Sequence, residues 1–369
     1  MSRENDFSRL ELNLPACEKN YTYFRGLLKP ETKLLVLVKA NAYGHGAVEF
    51  ASMMQRLGAD YLAVALPVEG VELRKNGISL PILVLTAGTD FFNEIIDYRL
   101  EPGIPNLATL QALNEKLEER GIEEFPVHIK LDTGMHRLGF MEDEIGPLIE
   151  FLSSHKRIKV KSIYSHLAAS EDPECDEFTL GQIELYTKLA DRLTEALGYR
   201  PLRHILNSAG IERFTQYQFD MVRLGIGIYG ISALEGVHLS PVASFKVKVL
   251  QVKHLTPKDG TIGYNRRGQI APGGTDIATI PAGYADGVDR HLGRGAASFS
   301  VKGHRAPTIG NICMDMCMID VTGLDVKVGD TVTIFGEDPS VEELARILGT
   351  IPYEILTSVP HRIERIIKK

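Results

Sequence analysis

The chain has 369 residues, of which 44% are hydrophobic and 24% are charged, and its formal net charge is −7. This balance is typical of a globular protein that is long enough for two domains, or for one barrel with an appended domain. The negative charge and the lack of long basic runs argue against nucleic acid as a partner. The sequence contains no run of about 18 apolar residues, which a membrane-spanning helix would require.

The N-terminal segment and the cysteines indicate the compartment. Residues 1–14 are mostly polar and lack the apolar core of a signal peptide. The four cysteines are scattered, without the spacing of a disulfide framework. We therefore expect a cytoplasmic protein.

The first two-thirds of the chain alternate short apolar runs with helical patterns. Nearly continuous aliphatic runs, typical of strands buried on both faces, occur at residues 33–39, 61–66, 81–86, 127–132 and 160–166. Between them, Leu110, Leu113 and Leu117 share one face of a helix. This alternation predicts a parallel sheet closed by helices, and about eight units favour a (β/α)8 barrel resembling the TIM barrel.

The pattern changes near residue 240. Short alternating strands separated by glycine, proline and aspartate follow at residues 242–255, 276–280, 297–301, 317–321 and 330–335. Helical patterns appear only at 340–348 and 353–359. We predict a barrel over residues 1–240 and a mostly antiparallel β domain over 241–369. Residues 1–13 are a candidate strand of the second domain.

Lys39 is the first candidate catalytic residue, because it ends the first buried run. The C-terminal ends of barrel strands face the active site, where a partly desolvated amine has a lowered pKa and can form a Schiff base. A lysine in this position more often only extends its amine to solvent, so position alone does not decide the role.

The segment VKANAYGHG, residues 38–46, resembles the cofactor-lysine signature of the alanine racemase family, whose cofactor is pyridoxal phosphate. The resemblance implies that Lys39 binds the cofactor covalently and acts as one catalytic base. It implies that Tyr43 forms a hydrogen bond with the cofactor phosphate.

Two later blocks of the barrel region continue the resemblance. KLDTGMHRLGF contains Arg137, which matches the arginine that contacts the cofactor's phenolic oxygen and the substrate. Lys130 matches a lysine that is carbamylated in some members, and the sequence leaves its modification open. HILNSAG contains Asn207 and Ser208, which match polar groups that hold the cofactor, with Ser208 at the phosphate.

His166 ends the run at 160–166. A lone histidine at a strand end is more often a core residue than a catalyst. The resemblance, however, places it against the pyridine ring and beside the catalytic tyrosine.

The segment VRLGIGIYG, residues 222–230, satisfies the dinucleotide pattern G-x-G-x-x-G. That pattern should open the first β-α-β unit of a chain, whereas this segment closes the barrel region. We interpret it as a phosphate-binding loop in which the backbone N–H groups of Gly225 and Ile226 face an anion. Tyr229 is a further candidate donor.

Arg223 lies where the family has an arginine facing the pyridine nitrogen. Arginine stays protonated and only donates hydrogen bonds, so it leaves that nitrogen unprotonated and the ring a weaker electron sink. This favours racemisation over transamination, whereas an acidic residue would indicate other pyridoxal chemistry.

TIGYNRRG, residues 261–268, resembles the block that carries the family's second base, here Tyr264. Racemisation needs an acid or base on each face of a planar intermediate, and Lys39 serves the other face. Free tyrosine titrates near pH ~10, so Tyr264 needs help to lose its proton. The resemblance places His166, with Arg223 behind it, where they ease the loss of that proton.

Two further blocks, PAGYADG and GNICMDMCMIDVT, resemble substrate-binding segments. They imply that Tyr284 and the Met314 N–H contact the substrate carboxylate, and that Asp315 shapes the entrance. Cys313 and Cys317 lack a second cysteine pair, so we expect no metal.

The C-terminal motif of this chain departs from the family pattern. His361 occupies the position at which a phosphate-binding tyrosine is usual. We keep His361 as a candidate phosphate contact. The resemblance also implies a homodimer in which Tyr264, Tyr284 and Met314 serve the partner's site.

The resemblance covers residues 9–365 and implies interconversion of L- and D-alanine, which supplies D-alanine for peptidoglycan in the cell wall. A serine or broad-specificity racemase shares the same residues, because one hydroxyl or methylene changes discrimination by only ~1–3 kcal/mol. A related decarboxylase would carry a Cys-Glu-Ser block, which this chain lacks. A non-catalytic pyridoxal-phosphate carrier would lack the β domain and Tyr264.

Overall fold

A computed structural model describes residues 7–368 of the chain. By internal contacts the described residues divide into two compact units. The barrel unit comprises residues 18–42 and 47–240, and the β unit comprises residues 7–17, 43–46 and 241–368. No helix within residues 7–368 combines the length and the apolar character that crossing a membrane requires.

The strands, in chain order, are β1 (Ser8–Asn13), β2 (Lys33–Leu37), β3 (Tyr61–Val64), β4 (Ile82–Val84), β5 (Glu101–Ile104), β6 (Phe125–Lys130), β7 (Ile158–Tyr164), β8 (Leu202–His204), β9 (Met221–Leu224), β10 (Ala243–Lys248), β11 (Gln251–Leu255), β12 (Thr261–Ile262), β13 (Gly268–Gln269), β14 (Thr275–Ile280), β15 (Ser298–Val301), β16 (His304–Ile309), β17 (Cys317–Asp320), β18 (Thr331–Phe335) and β19 (Glu364–Lys368).

The helices are α1 (Leu14–Gly26), α2 (Lys39–Tyr43), α3 (Ala47–Leu57), α4 (Pro67–Lys75), α5 (Phe92–Asp97), α6 (Leu107–Glu119), α7 (Ile145–Ser154), α8 (Asp176–Leu197), α9 (Ser208–Arg213), α10 (Val341–Leu348) and α11 (Pro352–Thr357). Of these, α2 is a left-handed turn, which is described with the site below.

The barrel unit is built on an eight-stranded sheet with the order β8-β7-β6-β5-β4-β3-β2-β9. Every neighbouring pair in it is parallel. The edge strands β8 and β9 are also joined, because Asp220 N donates to Arg203 O at 3.1 Å and Arg223 N donates to Leu206 O at 3.0 Å. The predicted (β/α)8 barrel is therefore confirmed.

The aliphatic runs form these strands because both of their faces are covered. Leu34, Leu35 and Val36 of β2 are completely buried, as expected for a parallel strand enclosed by a barrel interior and a ring of helices. The predicted helix face of Leu110, Leu113 and Leu117 lies on α6 and is also completely buried.

The β unit contains a nine-stranded sheet with the order β11-β14-β17-β16-β15-β18-β10-β1-β19. Its pairs are antiparallel, except that β1 runs parallel to β19. The β1 strand therefore lies between β10 and β19. Phe245 and Phe335 pack edge to face with ring centroids 5.9 Å apart in its core. The predicted mostly antiparallel second sheet is confirmed.

Candidate active site

Lys39 follows the C-terminal end of β2 and begins the left-handed turn α2. Burial is the main cause that lowers the pKa of its amine, and the positive charge of Arg137 lowers it further. The carboxylate of Glu69 acts in the opposite direction. A larger fraction of the Lys39 amine is therefore neutral at physiological pH than for an exposed lysine, which a nucleophile and a base both require.

The turn after Lys39 has an unusual backbone. Ala40, Asn41, Ala42 and Tyr43 have φ angles of 51°, 55°, 51° and 53°, and none of them is glycine. Left-handed conformation costs roughly 1–2 kcal/mol for each such residue. Strain of this kind persists only where the surroundings fix it.

Three hydrogen bonds fix the turn. The Ala40 N–H donates to Glu69 Oε1 at 2.6 Å, and the Ala42 N–H donates to the Val38 carbonyl at 2.9 Å. The side-chain oxygen of Asn41 accepts from the Ala47 N–H at 2.9 Å. The other carboxylate oxygen of Glu69 accepts from the N–H groups of Ala65 and Leu66. Glu69 thus connects the turn after Lys39 to the start of α4, a role that our sequence analysis did not predict.

Cationic side chains gather around Lys39 at the strand ends. Burial, then Arg137 and Arg223, lowers the pKa of Lys130 to about 8, although Asp132 opposes this effect. Burial and the charges of Arg223, Arg137, Lys130 and Lys39 hold the pKa of His166 well below its usual value. The structure therefore brings together five of the residues predicted from sequence, and His166 is neutral at physiological pH.

Arg223 lies on β9 and is almost completely buried. Its Nη1 donates to the Nδ1 and carbonyl oxygen of His204 at 3.1 and 3.2 Å. Its Nη2 donates to the carbonyls of Ser165 and Ile205 at 2.6 and 3.0 Å, and faces His166 Nδ1 at 3.1 Å. Burial lowers the pKa of Arg223 to about 10, so it remains a cation at physiological pH.

These bonds fix the tautomer of His166. Arginine has no acceptor, so His166 Nδ1 can only accept from Arg223, and it shares the two Nη2 hydrogens with the carbonyls of Ser165 and Ile205. A neutral His166 then carries its proton on Nε2. The imidazole therefore presents an N–H donor on the side opposite Arg223.

Polar residues follow β8 and β9. Asn207 caps α9, and its side-chain oxygen accepts from Gly210 N at 2.9 Å and from Ser170 Oγ at 2.7 Å. Ser208 Oγ accepts from the N–H groups of Gly225 and Gly227 at 2.9 and 3.2 Å. Ser208 thus occupies the N–H of Gly225 and keeps its own hydroxyl hydrogen for another acceptor.

The segment after Gly225 forms a 3₁₀ helix, Ile226–Tyr229. The first N–H groups of a helix have no partner within it, and Ile226 is the first residue. Tyr229 donates its hydroxyl hydrogen to the Leu37 carbonyl at 2.8 Å, so that hydrogen is not directed to an anion.

Tyr43 and His361 belong to the β unit by their contacts. Tyr43 is buried beside Tyr353, with ring centroids 5.8 Å apart, and burial raises the pKa of its hydroxyl. It is therefore a neutral donor. His361 is exposed in a turn in which Ile363 N donates to Pro360 O.

Tyr264 lies in a short turn, Tyr264–Arg266, between β12 and β13. Its side chain is 67% exposed within the chain. Its backbone is fixed, because the Tyr264 carbonyl accepts from Asn311 Nδ2 at 2.8 Å. The β unit therefore presents this phenol to its surroundings on an ordered turn.

Tyr284, Met314 and Asp315 are brought together within the β unit. Tyr284 N donates to Cys313 O at 3.1 Å, and Ala285 N donates to Met314 O at 3.0 Å. A Cβ atom on Gly283 would lie 2.3 Å from each of those two carbonyl oxygens, so glycine is required there.

Arg362 connects the segments that contain Asp286 and Asp315. Its guanidinium donates a hydrogen bond to each of these carboxylates at 2.8 Å. The sequence motif points to the adjacent His361 and gives no signal for the role of Arg362.

Comparisons with known proteins agree with this architecture. The family model described as "Alanine racemase, N-terminal domain" matches residues 12–233, and "Alanine racemase, C-terminal domain" matches residues 242–367. The chain is 37% identical to an alanine racemase of Methanococcus maripaludis, covering 96% of this chain and 97% of that one. For an alanine racemase of Synechocystis the identity is 35%, over 97% and 98% of the two chains.

A solved structure of an alanine racemase from Clostridium difficile 630 gives a TM-score of 0.92 at 35% identity, covering 98% of this chain and 95% of that one. The barrel with its strand-end lysine and the antiparallel β unit thus define an amino-acid isomerase. The chain belongs to the alanine racemase family, as the sequence resemblance implied.

The strain of the turn after Lys39 can be measured. Ala40 is exposed at φ 51°, so Ala40→Gly should raise the free energy of unfolding by about 0.5–1 kcal/mol, because relief of strain exceeds the entropy cost of glycine. Ala112→Gly, within α6, should lower it by about 0.5–1 kcal/mol. Urea unfolding of both variants tests this. Equal losses of stability would show that the turn is unstrained.

Proposed function

We propose that this protein interconverts L- and D-alanine with pyridoxal phosphate as its cofactor. The observation that carries the proposal is the Lys39 amine, whose pKa is lowered by burial and by Arg137, at the mouth of a barrel. Membership of the alanine racemase family supports the substrate.

The donor set fits an anionic cofactor. The charges acting on Lys39 and Lys130 come from four cations, the two lysines with Arg137 and Arg223, and from two carboxylates, Glu69 and Asp132. This excess of positive charge favours a bound phosphate and phenolate. The hydroxyl hydrogen of Ser208 remains available to an anion. The proposed cofactor contacts are Lys39, Tyr43, Arg137, His166, Asn207, Ser208, Arg223, Ile226 and His361, together with Gly225, which acts through Ser208 because its N–H donates to Ser208 Oγ.

When bound, pyridoxal phosphate would supply the electron withdrawal that weakens the Cα–H bond of the substrate. Lys39 Nζ then removes the proton from one face of Cα or returns it there. The lowered pKa of Lys39 keeps its amine ready to accept that proton.

Arg223 controls how strongly electrons are withdrawn. It donates hydrogen bonds and does not release a proton at physiological pH. It would therefore donate a hydrogen bond to a ring nitrogen that faces it and leave that nitrogen unprotonated. This limits electron withdrawal, so that the proton returns to Cα and the reaction remains a racemisation.

We assign the second base to Tyr264. Its phenol delivers a proton to, or takes one from, the face of Cα opposite Lys39. His166, with its proton on Nε2, is a donor that stabilises the phenolate form. In the homodimer that we propose, Tyr264 serves the site of the partner chain. Arg137, Tyr284 and the Met314 N–H bind the substrate carboxylate, and Asp315 shapes the entrance.

The product places the protein in cell-wall synthesis. We propose that its D-alanine supplies peptidoglycan and that the protein acts in the cytoplasm. Both statements rest on the reaction and on the composition of the chain.

The substrate assignment is tested first. Cofactor-loaded protein is incubated separately with L-alanine, L-serine and L-lysine, and the D-enantiomer is measured by chiral chromatography. We expect fast formation of D-alanine and slow formation of D-serine. Comparable rates with serine or lysine would make the protein a broad-specificity racemase. No D-product, with cofactor bound to Lys39, would indicate a non-catalytic carrier.

The two-base assignment is tested by proton exchange in D2O. Tyr264→Phe should slow exchange of the Cα proton from one alanine enantiomer by about 10²–10⁴-fold and leave exchange from the other much faster. Mass spectrometry of the recovered alanine measures both rates. Tyr217→Phe, in a 3₁₀ helix of the barrel unit, is the matched control. Equal slowing of exchange from both enantiomers by Tyr264→Phe would contradict the assignment.

The role of Arg223 is tested by Arg223→Glu. A carboxylic acid at this position can protonate the ring nitrogen, so the variant should form more pyruvate from alanine by transamination. The ratio of pyruvate to D-alanine is the measurement, and bound-cofactor absorbance shows that the variant is folded. An unchanged ratio would refute the argument from the ring nitrogen.

A further inference from the structure

A continuous chain of hydrogen bonds leads from Arg223 through the interior of the barrel. Its members lie on five strands, β5 to β9, and are Glu101, His128, Ser162, His204 and Arg223. We call this chain the barrel relay. His128, Ser162 and His204 are completely buried, and the Glu101 side chain is 14% exposed. The relay thus joins the edge of the interior at Glu101 to the candidate active site.

Each contact of the barrel relay lies within hydrogen-bonding distance. Glu101 Oε2 and His128 Nε2 are 2.7 Å apart, and His128 Nδ1 and Ser162 Oγ are 2.6 Å apart. Ser162 Oγ and His204 Nε2 are 2.8 Å apart, and His204 Nδ1 and Arg223 Nη1 are 3.1 Å apart.

The direction of every bond follows from Arg223. A guanidinium only donates, so His204 Nδ1 accepts and His204 carries its proton on Nε2. That N–H donates to Ser162 Oγ, and the serine hydroxyl donates to His128 Nδ1. His128 then carries its proton on Nε2 and donates to the Glu101 carboxylate, which only accepts.

The alternative direction leaves a buried hydrogen without an acceptor. If His128 carried protons on both nitrogens, Ser162 Oγ would receive two N–H groups. Its own hydrogen would then have no acceptor among the hydrogen bonds of the described chain. An unsatisfied buried donor costs more than the hydrogen bond itself contributes. The neutral histidines with protons on Nε2 are therefore favoured.

The charges near Arg223 also favour neutral histidines in the barrel relay. Burial, with the nearby charge of Arg223, holds the pKa of His204 well below its usual value, so His204 is neutral. No carboxylate is among the acceptors of Arg223 in the described chain. A buried cation needs compensation, and the relay links it to the carboxylate of Glu101. Glu101 has two further partners. The Tyr61 hydroxyl forms a hydrogen bond with it, and the positive charge of Arg74 interacts with its carboxylate.

Packing holds His204 in place. Its ring stacks on Tyr164 with centroids 5.1 Å apart and planes inclined by 11°. The Arg223 guanidinium carbon lies 5.7 Å from the centroid of the same Tyr164 ring. A rotation of the His204 ring out of this plane would lose the stacking and both of its ring hydrogen bonds.

We propose that Glu101, His128, Ser162 and His204 are positioning residues, which fix His204 as an acceptor and so hold the Arg223 guanidinium in one orientation. The consequence for catalysis rests on the proposed function, because it requires Arg223 to face the cofactor. The proton positions do not depend on that function.

Neutron diffraction from deuterated crystals of the holoenzyme at pH 7 tests the proton positions. We expect deuterium on Nε2 of both His128 and His204, none on either Nδ1, and the Ser162 hydroxyl directed at His128. Deuterium on Nδ1 of either histidine would overturn the proposal. This measurement needs no turnover, so it can succeed or fail separately from the racemase assignment.

The effect on catalysis is tested with Ser162→Ala, which breaks the barrel relay at its centre. We expect kcat for alanine to fall about ten-fold with KM unchanged, because Arg223 faces the cofactor and not the substrate. The pyruvate to D-alanine ratio should also rise.

Thr32→Val is the control, because Thr32 is buried in the barrel unit and its hydroxyl donates to Gln218 outside the relay. It should match the loss of thermal stability of Ser162→Ala without the fall in kcat. Equal kinetic effects in the two variants would overturn the positioning role.

Discussion

The buried guanidinium of Arg223 is the constraint on which the site depends. It has only donors and is almost completely buried, so the barrel must supply acceptors for it. Three strand-end carbonyls and two imidazole nitrogens face its terminal nitrogens, Nη1 and Nη2. Because each imidazole must accept on Nδ1, one arginine determines the proton positions of His166 and His204. Burial lowers the pKa of Lys130 and His166, and the charges of Arg223 and Arg137 lower it further, so Arg223 contributes both to the hydrogen bonds and to the electrostatics of the barrel mouth.

A cluster of like charges costs folding stability, and its effect on proton affinity explains why it is useful. Burial and, after it, the neighbouring positive charges lower the pKa of Lys39 and Lys130 below that of exposed lysines and keep His166 neutral. As pH falls below about 6.5, unfolded chains bind a proton at His166 and His204 before the folded chain does, so stability decreases in acid. The anionic cofactor that we propose would offset this repulsion and stabilise the folded state by binding to it.

The sequence predicts those features that depend on local pattern or on a family motif. Continuous aliphatic runs predict β2, β3, β4, β6 and β7, whereas β5 reads Glu-Pro-Gly-Ile and gives no strand signal. Gly103 is there because a Cβ atom would come within 2.5 Å of the Tyr164 hydroxyl. The left-handed turn cannot be predicted from local sequence either, since its residues Ala-Asn-Ala-Tyr include no glycine, the residue that usually adopts this conformation. Glu69 and the relay residues act through partners distant in sequence, so no local pattern reveals them.

The barrel interior itself shows what this arrangement costs. Barrels of this type usually fill their interior with layers of branched aliphatic side chains, yet here His128, Ser162, Tyr164, His204 and Arg223 occupy it. Replacing buried polar networks with apolar side chains is often neutral or stabilising. The Tyr164 hydroxyl even lacks a hydrogen-bond partner in the described chain. Stability therefore does not explain this interior. Its members share one property, which is that each contacts Arg223 directly or through the barrel relay, so the requirement to hold that cation explains them.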